Sequence, residues 1–114
     1  MHITPAMLEA AYELLRTSPP FNRWKLPEAD EVAFHVTGHR DRRGDHCVQG
    51  SEHIIRISAP LHSTLRHVLE TVAHEMCHMR QFVTAPQDQA LHGWRFKVYA
   101  KAVCRIHRFD LSEF

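Results

Sequence analysis

The chain predicts an α+β fold, with a small antiparallel or mixed sheet packed on an N-terminal helix, a long middle helix and a C-terminal helix. Three observations lead there. Apolar residues recur at helical spacing in three stretches: Met7 to Leu15, Leu65 to Met79 and Phe96 to Ile106. Between the first two lie short runs that alternate or cluster β-branched side chains, the signature of strands. Turn residues, among them Pro19-Pro20, Gly38, Gly50-Ser51 and Pro60, separate the runs. At 114 residues there is room for one hydrophobic core, so a single domain over 1–114 is expected.

The first helix starts where Thr4 offers an N-cap hydroxyl and Pro5 occupies the first helical position, at which its missing N–H matters least. Met7, Leu8, Ala11, Leu14 and Leu15 form its apolar side, and Pro19-Pro20 ends it. Phe21 to Glu31 reads as irregular. Val32 to Thr37 is a strand, with Val32, Phe34 and Val36 alternating against Ala33, His35 and Thr37. Gly38 to Asp45 is an arginine-rich loop, and Cys47-Val48-Gln49 a short strand before the turn at Gly50-Ser51. His53 to Ser58, with Ile54, Ile55 and Ile57, is a stronger strand, closed by Pro60. The long helix is expected from about His62 or Ser63 to Phe82, burying Leu65, Val68, Leu69, Val72, Met76 and Met79. The last is expected from about Gly93 to His107.

Composition excludes several classes. A hydrophobic share of 44% and a charged share of 24% are those of an ordinary globular protein. A net charge of +1 marks neither a polyanion seeker nor a self-repelling chain. Three cysteines at wide spacing, Cys47, Cys77 and Cys104, form no C-x-x-C pair, which argues against a disulfide framework or a zinc ribbon and suits a reducing compartment. The first residues do not read as a signal peptide, and no apolar run is long enough to span a membrane, so a cytoplasmic monomer is expected.

Histidine is the outlier, at eleven residues. His74-Glu75-Met76-Cys77-His78 spells H-E-x-x-H within the long helix. Histidines four apart lie on one helical face, about 6 Å apart along the axis, so one divalent ion can take a nitrogen from each. Glu75 points about 100° away from His74, within reach of a metal-bound water but outside the ligand pair. A catalytic zinc needs a third protein ligand and leaves the fourth position to water. A histidine six residues past the motif would supply it, but Thr84 stands there, and a glutamate on a following helix is another pattern. His92 is the candidate chosen. It heads the stripe Phe96, Tyr99, Val103, Ile106, whose apolar members must face the core that the motif helix helps to build.

Together, His74-Glu75-Met76-Cys77-His78 and His92-Gly93-Trp94-Arg95-Phe96 resemble the SprT-like zinc peptidase family, which shows H-E-x-x-H followed by H-G-x-x-F. Ile55 to Leu61 resembles that family's strand leading into the active-site helix, and Phe82-Val83-Thr84 is a lesser likeness. The resemblance covers about Ile54 to Ile106. It implies a zincin-like fold, one catalytic zinc ion held by His74, His78 and His92, Glu75 as general base, and hydrolysis of peptide bonds in protein substrates. The alternative class is a non-catalytic, zinc-stabilised module that binds nucleic acid or protein. The better-known relatives carry a second zinc-binding module or long tails beyond the protease domain, and no such module stands within these residues.

Other residues have plainer expectations. Tyr99, Arg95 and Arg80 are candidates to stabilise an oxyanion. His53 to Ser58 is the candidate edge strand for pairing with a substrate backbone. Cys77, about 100° round the helix from His78, should pack in the core. His67 lies roughly 10 Å along the axis from His74, too far to share its ion. Glu70 is expected on the surface, with a hydrogen bond to His74 as the alternative. The loop His39-Arg40-Asp41-Arg42-Arg43 is the candidate for contact with DNA, although Asp41 and Asp45 dilute its charge. Phe21 and Trp24 are expected to anchor the proline-rich segment in the core, with base stacking the alternative.

Overall fold

The central strand of the sheet is the last of its three strands in sequence. A computed structural model describes all residues, Met1–Phe114. It contains strands β1 (Val32–Thr37), β2 (Gly44–Gln49) and β3 (Glu52–Ser58), in the order β1-β3-β2. β1 pairs parallel to β3 with Val32 opposite His53, and β2 pairs antiparallel to it with Gln49 opposite Glu52. The sheet is therefore mixed. β2 and β3 form a hairpin whose turn is Gly50-Ser51, with Gly50 at φ 64°, the left-handed conformation that such two-residue turns favour.

The expectation that His53 to Ser58 is an edge strand is overturned, because β3 has a neighbour on each side. Ile54, Ile55, Ile57 and Ser58 are all buried. A near-continuous buried run is what a strand covered on both faces requires, and it marks a centre rather than an edge. The exposed edge beside the long helix is β2, which begins at Gly44 rather than at Cys47.

Two of the three helices, α1 (Pro5–Arg16) and α2 (Leu65–Thr84), pack on the sheet, and α3 (Trp94–His107) packs on α2. Thr4 caps α1 by accepting the Met7 N–H at 3.2 Å, and Thr64 caps α2 by accepting the His67 N–H at 3.1 Å. α2 thus starts about two residues later than its apolar pattern suggests. It packs on α1, α3, β2 and β3. Tyr12, Phe21, Ile55, Val68, Val72, Met76 and Phe96 belong to the shared core. Phe21 and Trp24 are buried there, as expected. Leu14, Leu65 and Ile106 are exposed instead, each at the rim of its helix's apolar stripe.

Candidate metal centre

Three imidazoles converge where α2 meets the start of α3. His74 and His78 come from adjacent turns of α2, and His92 stands two residues before α3. The Nε2 atoms of His74 and His78 are 3.1 Å apart, and those of His74 and His92 are 3.4 Å apart. A tetrahedral ion with bonds of about 2.0–2.1 Å holds its ligand atoms about 3.3–3.4 Å from one another. Both separations match the spacing a zinc ion needs, all three ligand atoms lie within 4.8 Å of one another, and the group includes no fourth protein ligand. The ring of Phe96 lies against all three histidines, with centroids 5.0, 4.4 and 4.8 Å from those of His74, His78 and His92. This explains why His92 and Phe96 share one stripe.

The electrostatics also suit a cation. Burial, with repulsion from the neighbouring imidazoles, pulls His74 down to about 3 and His78 to about 4. Both rings are neutral at pH 7, so their lone pairs are free. Nδ1 of His74 is buried without a hydrogen-bond partner. Glu70 does not serve it: that carboxylate is buried and accepts the Asp110 N–H at 3.0 Å. The surface expectation for Glu70 is corrected too, since the chain after α3 folds back over it. Glu75 is only 4% exposed, and burial, with Asp45 adding to it and Arg43 opposing, pushes its carboxyl up to about 8. A bound cation would favour the ionised form.

His92 lies outside regular structure, and its loop is held from α2. The buried Gln81 amide donates to the Ala90 carbonyl at 2.9 Å. Asp88 accepts the Ala90 N–H at 3.0 Å and pairs with Arg95 at 3.0 Å. Sequence reasoning missed Gln81 and Asp88. A polar residue on the core side of an otherwise apolar helix was the available signal for Gln81.

The oxyanion candidates lie elsewhere. Arg80 donates to the Trp24 carbonyl at 2.7 Å, and the Tyr99 hydroxyl shares a hydrogen bond with Thr84 at 3.2 Å. Arg95 is taken up by Asp88 and stacks over Trp94. None of the three lines the cavities beside the histidines. Two cations do line one of them: Arg42 and Arg43, just before β2. Cys77 is fully buried, as expected, and its thiol is pushed up by burial. His67 bonds Arg43 at 3.3 Å, away from the triad.

The basic loop is largely neutralised by its own surroundings. Arg42 pairs with Asp45 at 3.5 Å, and Arg43 pairs with Glu113 at 3.3 Å. A second basic surface is on α3, which carries Arg95, Lys97, Lys101, Arg105 and His107 and no acidic residue. Lys97, Lys101 and Arg105 are exposed and form no ion pair, while Arg95 is paired with Asp88. No helix is long and apolar enough to cross a membrane.

Against known proteins, the model of the SprT-like family matches residues 13–112, and no curated protein and no solved structure shows a match.

Proposed function

The chain belongs to the SprT-like family, and on that premise we propose that it is a zinc-dependent metallopeptidase that hydrolyses peptide bonds in proteins. The observation that carries the reading is the convergence of three imidazoles, with nitrogens 3.1 and 3.4 Å apart, beside a buried glutamate. His74, His78 and His92 would hold the ion, three ligands leaving a fourth position for water. Bound there, zinc supplies Lewis acidity, which lowers the pKa of a water toward about 7 and polarises a carbonyl. Glu75 takes the proton from the attacking water as its oxygen adds to the carbonyl carbon and the C=O electron pair moves onto oxygen. When the C–N bond breaks, the pair leaves with nitrogen, and Glu75 returns the proton to that amine.

The substrate backbone lies along β2 in this reading. Gly44 to Val48 of that edge strand line a cavity shared with His74, Glu75 and His78. DNA-associated proteins are proposed among the substrates, on the strength of the unpaired cations of α3.

Replacing Glu75 by Gln keeps the size of the side chain and removes the base. The E75Q protein should retain one zinc per chain by mass spectrometry and lose about 100- to 10,000-fold in the rate of cleavage of denatured casein. Cleavage by this variant at the wild-type rate would remove Glu75 from the mechanism, whereas zinc bound with no cleavage by the wild type would favour a site that is only structural.

A further inference from the structure

A peptidase cleft must stabilise the negative charge that develops on the carbonyl oxygen, and preorganised donors do this best because they need not move during the reaction. Arg43 is such a group, and it is fixed at several points. Its carbonyl accepts the Ser58 N–H at 2.8 Å, which ties the start of β2 to the end of β3. The next residue, Gly44, permits a close approach: a Cβ there would lie 2.8 Å from the Arg56 carbonyl oxygen and 3.1 Å from the Thr71 methyl on α2. Thr71 is one turn before Glu75, so this close packing sets Arg43 beside the motif.

The guanidinium is equally constrained. Nη2 donates to the Glu113 carbonyl at 2.8 Å, while Nη1 meets the Glu113 carboxylate and the His67 ring, each at 3.3 Å. These partners use three of its five N–H groups and leave Nε–H and one Nη2–H. Arg43 lines the same cavity as His74, Glu75 and His92. Arg42, the other cation there, is more exposed and is turned to Asp45.

We propose that Arg43 is a catalytic residue, its free N–H groups taking the charge that forms on the oxygen of the scissile carbonyl. The inference rests on the peptidase reading and adds to it a group that neither the motif nor the family match names. His74, His78 and His92 would hold the ion, whose Lewis acidity would polarise the carbonyl, and the guanidinium would add its charge from the same cavity. The effect belongs to the transition state rather than to ground-state binding, so it should appear in kcat.

The test uses the zinc-loaded protein and denatured casein. Arg43→Ala should lower kcat about 100- to 1,000-fold, with KM within about threefold and zinc still stoichiometric. A peptide phosphonamidate, which imitates the tetrahedral anion, should lose affinity for the variant by the same factor as kcat/KM, whereas a product peptide should not. Arg43→Lys keeps the charge but not the planar fork, and should fall between wild type and Arg43→Ala. It also serves if the alanine variant does not fold. Glu113→Gln weakens the anchor while leaving Arg43 in place, and should lose far less than Arg43→Ala. Full kcat in Arg43→Ala or Arg43→Lys overturns the proposal, as does an equal loss in Glu113→Gln, which would make the arginine an anchor only. A wild-type protein that cleaves nothing would instead overturn the peptidase reading beneath it.

Discussion

His92 is the residue on which the proposed metal centre turns, because it is the one ligand candidate not held by a helix. It is exposed, and its backbone follows a loop tied by the side chains of Gln81 and Asp88 as well as by its own turn hydrogen bonds. Asp88 makes two of these ties, one to the Ala90 N–H and one to Arg95 at the start of α3, so it sets both the loop and the helix entry. Groups that orient ligands commonly contribute about 10- to 100-fold to metal affinity. Asp88→Ala should therefore weaken zinc binding by about tenfold in competition with a chelator. The urea midpoint of the metal-free protein should change little, since the residue is outside the core. An unchanged zinc affinity would mean that Gln81 and Phe96 suffice to place His92. His74, His78 and Glu75 were legible in the sequence because helical spacing fixes side-chain direction over a turn or two, and His92 because it stands just ahead of the apolar stripe that continues along α3. Asp88 and Arg43 were not, because each acts through a loop whose path no periodicity encodes.

At the scale of elements, α2, α3, β1 and β3 followed their patterns closely, and the order in which the strands pair did not. A helix carries its partner's direction in its own stripe, as Phe96 and Val103 do for α3. A strand's pattern says which faces are covered but not which edges are paired. The isoleucines of β3 therefore read equally as core or as docking edge until the β1-β3-β2 order is known. Charge is subject to the same restriction. The loop His39–Arg43 looked like the basic surface in one dimension, but Asp45 and Glu113 neutralise two of its arginines in three. On α3, Lys97, Lys101 and Arg105 recur every four residues along the exposed side without an acidic neighbour on the helix. If DNA is a partner, this face should carry the interaction. The double variant Lys97→Glu/Lys101→Glu should weaken retention of a DNA duplex and make the salt dependence of log K shallower by about two, one for each phosphate no longer neutralised. Arg40→Ala, in the loop, should leave that slope nearly unchanged. The reverse result would return the interaction to the loop, and no binding by wild type at low salt would remove DNA as a partner.

For the whole molecule, the histidines make stability a function of pH. Three of the perturbed rings lie outside the triad. His46 is pulled down to about 4 by burial, with repulsion from His53 and His78 adding to it. His53 is lowered by burial. His62 is lowered by burial against the opposing pull of the Ser58 carbonyl; its Nδ1 lies 2.6 Å from that oxygen and its Nε2 lies 2.7 Å from the Thr71 hydroxyl. In the unfolded chain each returns to about 6.5. Below that pH the unfolded state therefore binds protons that the folded state refuses. The stabilising contribution is complete above about pH 6.5 and is lost as pH falls toward the folded values. His46, held near 4 in the fold, contributes a slope of up to about 1.4 kcal/mol per pH unit in that window, and His53 and His62 act in the same direction. The urea midpoint of the metal-free protein should accordingly drop between pH 7.5 and 5, and His62→Gln should make the drop shallower. Zinc should raise the midpoint at pH 7.5 through its affinity for the folded state, and raise it less at pH 5, where protons compete for the imidazoles. A midpoint that stays level from pH 7.5 to 5 without zinc would mean that these rings open to water before they charge.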